Sequence, residues 1–108
     1  MEILKKGMAV NCRTQDEIDV FKEVAAAEGH YWSGGAPISK RFEYIEYDSV
    51  GISFLVGYDN HAFPNDITWC NIEFVSYLTE KPTQVEASVL FRNRLIARRA
   101  KYERGGSK

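Results

Sequence analysis

The chain has 108 residues, 13% of them aromatic, and a formal net charge of −1. This length allows one domain with a single modest core, and the apolar content excludes a disordered chain. The charge is unevenly distributed, because residues 1–80 hold six Lys/Arg and thirteen Asp/Glu whereas residues 81–108 hold eight and two. We interpret this split chiefly as a basic C-terminal helix that lies on the acidic body of its own or a neighbouring subunit. A domain devoted wholly to nucleic acid is more often basic throughout.

The first predicted elements are a strand and a helix. The apolar run at residues 8–10 predicts a strand that ends near Cys12. Thr14 and Glu17 have the spacing of a capping box, and the apolar residues that follow at three- and four-residue spacing predict an amphipathic helix. Gly29 is a typical C-terminal stop for that helix.

The middle of the chain predicts further strands. They cover residues 30–32, 42–47, 50–58 and 67–78, and predicted loops cover residues 34–40 and 59–66. The segment 50–58 is the most hydrophobic and is predicted to be central. Alternation along 67–78 places Trp69 and Asn71 on one face of a long strand and Cys70 on the other.

A basic helix is predicted over residues 83–104. Thr83 and Glu86 form a second capping box, and Gly105 follows the predicted end. At about 100° per residue, one half of this helix is apolar and comprises Val85, Val89, Phe91, Leu95, Ile96, Ala100 and Tyr102. Arg92 and Arg99 lie in the middle of that half. Cations in a contact face require anions, which the chain's own carboxylates, a partner chain or a phosphate-bearing ligand would supply.

These elements predict an α+β fold, with a small antiparallel sheet of four to five strands, an N-terminal helix and the basic C-terminal helix. Residues 1–104 form a single domain, and residues 105–108 are predicted to be a disordered tail. Cys12 and Cys70 lack metal-ligand spacing, which indicates free, buried thiols in a reducing compartment. Because we find no signal peptide and no apolar run of transmembrane length, we expect a soluble cytoplasmic protein.

No catalytic pattern is recognisable. Neither His30 nor His61 accompanies a nucleophile, and the glycines match no phosphate loop. Asp48, Asp59 and Asp66 match no metal motif. We therefore predict a binding protein that is not an enzyme and uses no metal or cofactor.

Two groups of side chains are candidates for binding an anionic ligand. Guanidinium groups suit phosphates, aromatic rings stack on bases, and a carboxamide reads a base edge or a ribose hydroxyl. The main candidate site comprises Phe63, Trp69, Asn71, Phe91, Arg92, Arg94, Arg98 and Arg99. The second candidate anion site, at the start of the first helix, comprises Asn11, Arg13 and Thr14.

Two segments resemble a recurring pattern of small phage and prophage proteins. The first runs from Met8 to Gly35 and contains Cys-x-Thr before the helix, and Gly29, Tyr31 and Trp32 after it. The second is the Ile-Glu-Phe-x-x-Tyr-Leu motif at residues 72–78. With the arginine-bearing final helix added, the chain resembles the first-described Thoeris anti-defence proteins of phages.

That resemblance implies a function and an assembly. Such proteins are sponges that sequester cyclic ADP-ribose isomers and, in some members, cyclic trinucleotides of another defence system. It implies a homo-oligomer built from dimers, with ligand pockets shared between subunits and no chemistry on the ligand. Two alternatives stay open. In one, the last helix binds nucleic acid in a phage regulatory protein; in the other, it docks on an acidic surface and serves structure alone.

Overall fold

A five-stranded sheet forms the centre of the part of the chain described by the computed structural model, residues 3–38, 51–57 and 66–106. Side chains are described as far as Lys101. The elements in chain order are β1 (Met8–Cys12), α1 (Gln15–Ala27), β2 (Tyr31–Trp32), β3 (Ile52–Val56), β4 (Asp66–Asn71), a 3-10 helix (Ile72–Tyr77), β5 (Thr83–Glu86), α2 (Ala87–Leu90) and α3 (Arg92–Gly106). The predicted α+β fold, with an N-terminal helix and a basic C-terminal helix, is confirmed.

The sheet is mixed, with the strand order β2-β4-β3-β1-β5. The three inner strands pair antiparallel, as predicted, whereas β5 pairs parallel with β1 and β2 pairs parallel with β4. The prediction of an entirely antiparallel sheet was therefore wrong at both edges. Each parallel pair joins strands that are distant in sequence, so no tight turn imposes an antiparallel pairing on them.

The core lies between α1 and one face of the sheet. All five residues of β3 are buried, which agrees with its predicted central place. The ring of Phe21 on α1 stacks on Phe54 of β3 with centroids 4.3 Å apart. Trp32 of β2 packs against the same Phe54 ring at 5.9 Å. A buried aromatic cluster of this kind supplies a large share of the hydrophobic stabilisation of a small domain.

The predicted cap at the start of α1 is present, although the return bond from Glu17 is made to the residue before the N-cap. The Glu17 amide donates to Thr14 Oγ1 at 3.2 Å, and Glu17 Oε1 accepts from the Arg13 amide at 2.9 Å. At the other end Gly29 has a φ of +81°, a left-handed conformation that glycine adopts without strain. Both ends of α1 thus follow from local sequence.

The long strand predicted over residues 67–78 is shorter in the structure. It ends at Asn71, and residues 72–77 form the 3-10 helix. Asn71 Oδ1 accepts from the Glu73 amide at 3.0 Å and so caps that helix. Because short polar side chains can satisfy a nearby backbone amide, they compete with continued strand pairing. The predicted alternation of faces therefore holds only as far as Asn71.

The helix predicted to begin at Thr83 begins later and is divided. Residues 83–86 form β5, and Phe91, with φ −109° and ψ 22°, separates α2 from α3. The Thr83 amide donates to the Gly7 carbonyl at 2.9 Å, so pairing with the segment around β1 overrides the local capping signal. The backbone of α3 continues through Gly106, two residues beyond the predicted end.

Several predicted segments fall outside the described residues. They are the strand at 42–47, residues 39–40 of one predicted loop, and residues 59–65 of the other, including Phe63. Asp66, assigned to that second loop, is the first residue of β4. Among residues 3–38, 51–57 and 66–106, no helix combines the length and the hydrophobicity of a transmembrane span.

Candidate anion-binding surface

Arg98 fastens α3 to α1. Its side chain is 23% exposed and lies beside three carboxylates of α1, those of Asp16, Asp19 and Glu23, at 3.4, 3.1 and 3.3 Å. A guanidinium has forked donors and can serve several carboxylates at once. The basic helix thus lies on the acidic body of its own chain, and the guanidinium of Arg98 is occupied within the protein.

The face of α3 that contacts the body differs from the predicted one. It contains buried Phe91 and half-buried Leu95 and Arg98, while Arg92 and Arg99 are exposed. The predicted apolar half also counted valines at positions 85 and 89, which belong to β5 and α2. Because those residues do not share the axis of α3, including them rotated the predicted face toward Arg92 and Arg99.

Among the residues whose side chains the structure describes, α3 exposes four cations, those of Arg92, Arg94, Arg99 and Lys101. Arg92, Arg94 and Arg99 make no ion pair with any residue that the structure describes. At about 100° per residue, Arg92, Ile96 and Arg99 lie on one flank of the helix, and Arg94 and Lys101 lie on the other. We call the first flank the α3 stripe. Ile96, at its centre, is 57% exposed.

Phe91 is not available to a ligand. It is included in the main candidate site predicted from the sequence, but its side chain is 1% exposed and belongs to the hydrophobic core. Its carbonyl accepts from the Leu95 amide at 2.9 Å, which joins α3 to the turn before it. Phe91 is therefore a structural residue that anchors the start of α3.

A groove of about 270 Å³ lies between the first turn of α1 and α3. We call it the Arg99 groove; it is lined by Thr14, Asp16, Glu17, Leu95, Ile96 and Arg99. It brings together Thr14, from the second predicted anion site, and Arg99, from the first. A neighbouring groove of about 370 Å³ is lined by Asp19, Lys22, Glu23, Ala26, Ile38 and Arg98.

The other two residues of the second predicted anion site surround a carboxylate of the chain itself. Arg13 Nε and Nη2 donate to the two carboxylate oxygens of Glu86 at 2.9 and 3.1 Å. Asn11 Nδ2 donates to Glu86 Oε2 at 3.2 Å and to Gln84 Oε1 at 3.3 Å, and the Ser53 hydroxyl donates to Asn11 Oδ1. Glu86 thus occupies the position that the prediction reserved for an external anion.

The sequence did not reveal Glu86 as the partner of Arg13 and Asn11, because these contacts join residues that are distant in the chain. The parallel register places Glu86 directly opposite Asn11, although the two residues are 75 positions apart. The hydrogen bond from Arg13 holds the pKa of Glu86 below its ordinary value, and the bond from Asn11 adds to this effect. The same carboxylate raises the pKa of Arg13. Each group thus favours the charged form of the other.

Glu86→Gln is expected to reduce the acid sensitivity of the fold. A carboxylate with a lowered folded-state pKa stabilises the fold above the unfolded-state pKa, about 4.3, and this contribution is lost as the pH falls through the folded-state value. Since the side chain is 38% exposed, solvent screening limits the contribution to about 0.5–1 kcal/mol. Urea unfolding at pH 6 and pH 3 should show a deficit of the variant at pH 6 that shrinks at pH 3. Glu73→Gln, on the exposed 3-10 helix, serves as the control, and a deficit independent of pH would contradict the assignment.

Trp69 and Asn71 lie away from this surface. Trp69 is 45% exposed and meets Trp32 edge to face at 5.4 Å, while the carboxamide of Asn71 caps the 3-10 helix. Neither is among the described residues that line the Arg99 groove. The described part of the structure therefore does not bring Trp69 and Asn71 together with the predicted phosphate-binding arginines.

Neither cysteine forms a disulfide, as predicted, but only one of them is fully buried. Cys12 is buried and Cys70 is half-buried. Burial, followed by the nearby carboxylates of Glu17 and Glu86, raises the pKa of the Cys12 thiol well above its ordinary value. Cys12 is therefore a neutral core residue. Within the described part of the chain, no group of His, Cys, Asp and Glu side chains is arranged to hold a metal ion.

The fold and this surface define a small α+β protein with exposed cations on its C-terminal helix. Comparison of the chain with protein-family models, with curated proteins and with solved structures finds no match.

Proposed function

We propose that this protein binds and sequesters a cyclic nucleotide signal, of the cyclic ADP-ribose or cyclic oligonucleotide class, without degrading it. The observation that supports the proposal is the α3 stripe, in which Arg92 and Arg99 are exposed and make no ion pair with the described residues. The class of ligand comes from the resemblance to phage anti-defence proteins, and the host cytoplasm is the compartment it implies.

The stripe combines the two kinds of contact that a nucleotide requires. Arg92 and Arg99 are seven residues apart, which at about 1.5 Å per residue separates their backbones by about 10 Å. Two long side chains at that spacing can hold one phosphate together or two phosphates singly. Exposed Ile96 lies between them and offers an apolar surface to a base or a ribose.

Two arginine contacts alone give only modest affinity. A hydrogen bond to a charged group contributes about 1.5–3 kcal/mol, so two such contacts supply about 3–6 kcal/mol before the entropy of immobilisation is subtracted, which is less than the roughly 8 kcal/mol net that micromolar affinity requires. Slower release requires enclosure on a second side. A second copy of the chain, as in the dimer-based oligomer implied by the resemblance, would supply it.

The structure changes the proposed roles of individual arginines. Arg98 holds α3 in place through the carboxylates of α1 and acts on the ligand only indirectly. Arg94 lies on the opposite flank from the α3 stripe. The proposal therefore assigns phosphate binding to Arg92 and Arg99.

Arg92→Ala/Arg99→Ala is expected to weaken ligand binding about a hundredfold, because two charged contacts are lost. The measurement is a thermal-shift and calorimetric panel of cyclic ADP-ribose isomers, cyclic di- and trinucleotides, linear nucleotides and short oligonucleotides. One cyclic species should raise the melting temperature of the native protein and be recovered intact after denaturation.

Arg94→Ala/Lys101→Ala is the matched control for this experiment. It removes the same charge from the same helix on the opposite flank, so it should keep affinity within about threefold if binding depends on the α3 stripe. Equal losses in the two variants, or no response to any cyclic species, would contradict the proposal. Degradation of the bound species would show that the protein is an enzyme and would contradict the proposal that it only sequesters its ligand.

A nucleic-acid-binding role is the second candidate, and one observation favours it. Exposed cations lie on both flanks of α3, which suits the extended phosphate backbone of an oligonucleotide better than a compact ligand. In that case affinity rises with oligonucleotide length and falls steeply with salt, and the two double variants weaken binding alike.

A further inference from the structure

The Arg99 groove carries more negative charge than positive charge, although it lies against the most basic helix of the protein. Of its lining residues, Arg99 is cationic whereas Asp16 and Glu17 are carboxylates. The Asp16 side chain is 64% exposed, and Glu17 is half-buried. A site that only had to bind a negatively charged ligand would not place two carboxylates beside its arginine.

We propose that Asp16 and Glu17 are specificity-determining residues that keep polyphosphates away from Arg99. The ligand admitted carries one negative charge per phosphate, together with hydroxyl or amino groups that donate to the two carboxylates. This inference rests on the proposed function for the identity of the favoured ligand, but the exclusion of polyphosphate is measurable without it.

The physical basis is a difference in charge between two classes of nucleotide. A phosphodiester carries one negative charge per phosphate, whereas a triphosphate concentrates about four on adjacent groups, and its repulsion from each carboxylate is larger in proportion. Ribose hydroxyls and exocyclic amines are donors, and a carboxylate is an acceptor for both. Specificity of this kind uses repulsion of the wrong ligand as well as attraction of the right one.

The groove also provides an apolar wall that a bare polyphosphate cannot use. Leu95 is half-buried and Ile96 is exposed. Both belong to α3 and line the groove across from α1, which carries the two carboxylates. A base or a ribose that covers this wall gains from burial of apolar surface. The arginine, the carboxylates and the apolar wall therefore select together for a nucleotide whose phosphates each carry one charge.

Both carboxylates also have structural roles that a test must separate from specificity. Glu17 Oε1 accepts from the Arg13 amide beside the N-cap, so replacing Glu17 disturbs the start of α1. Asp16 is the better target. It pairs with Arg98 at 3.4 Å, and Glu23 pairs with the same guanidinium at 3.3 Å. The Glu23 side chain is similarly exposed, at 67%, but lines the neighbouring groove.

Asp16→Asn and Glu23→Gln thus form a matched pair. Each removes one carboxylate from Arg98, and only the first changes the Arg99 groove. Isothermal titration calorimetry measures the binding of inorganic tripolyphosphate to four proteins: the native protein, the two single variants and Asp16→Asn/Arg99→Ala. Equal melting temperatures of the four proteins show that each is folded. We expect Asp16→Asn to bind tripolyphosphate about fivefold or more tightly than the native protein, and Glu23→Gln to stay within about twofold of it.

The gain in tripolyphosphate affinity should disappear in Asp16→Asn/Arg99→Ala, because the guanidinium that binds the polyphosphate is then absent. Equal gains in the two single variants, no gain in Asp16→Asn, or a gain that persists without Arg99 would each overturn the inference. These outcomes are independent of the cyclic nucleotide panel. If no cyclic species binds but Asp16→Asn gains affinity through Arg99, the proposed function fails and the charge selection stands.

Discussion

Phe91→Ala is expected to lower the free energy of unfolding by about 3–5 kcal/mol, the range typical of a buried phenylalanine replaced by alanine. The side chain is 1% exposed and packs in the core where α2 meets α3, so its removal leaves a cavity that nearby groups fill only in part. Since domains of this size have about 5–15 kcal/mol of stability in total, the variant should be markedly destabilised. Urea unfolding measures this as a lower midpoint with an unchanged slope.

Ile96→Ala is the matched control for this prediction. Ile96 lies on the same helix but is 57% exposed, so its truncation should change the free energy of unfolding by less than about 0.5 kcal/mol. A small effect at Phe91 combined with a loss of ligand binding would restore the role first predicted for Phe91, a direct contact with ligand.

Gly51→Ala is expected to destabilise the fold by about 3 kcal/mol through its backbone. Gly51 precedes β3 with a φ of +100°, a conformation that L-residues with a side chain rarely adopt. A Cβ atom there would lie 2.5 Å from the Cys12 carbonyl oxygen and 3.1 Å from Arg13 Cα. Because both contacts are with backbone, neither is relieved by a rotamer change.

The same substitution at Gly34 tests whether the site, and not alanine itself, causes the loss. A Cβ atom at Gly34 would meet nothing within 4 Å, so Gly34→Ala should leave stability unchanged or raise it by about 0.5 kcal/mol. Thermal melts of the two variants provide the comparison. Equal behaviour at the two positions would show that the end of β1 moves to accept a side chain beside Gly51.

The predictions from sequence were most accurate where the determining interactions are local. The strand ending at Cys12, the α1 helix and its N-terminal cap, and the glycine stop at position 29 all depend on residues within a few positions of one another. The hydrophobic run around β3 also predicted its central place, since a strand buried on both faces needs apolar residues throughout. These features alone were enough to indicate an α+β fold.

Local signals misled where a distant partner competed for the same backbone. Thr83 and Glu86 have the spacing of a capping box, but the segment pairs with β1, and the Glu86 carboxylate is bound by Arg13 and Asn11. The energy of a cap is about 1 kcal/mol, which several ladder hydrogen bonds and a bidentate ion pair exceed together. A single sequence does not reveal that register.

For the candidate site, too, local features were predictable from the sequence and long-range contacts were not. The concentration of arginines in the last helix, and its complementarity to an acidic body, were determined by the sequence itself. Only the tertiary structure decided that Arg98 faces α1 while Arg92 and Arg99 face outward, because the start and the axis of α3 set its rotation. It also decided that Thr14 and Arg99 share a groove with Asp16, since long-range packing alone brings the two helices together.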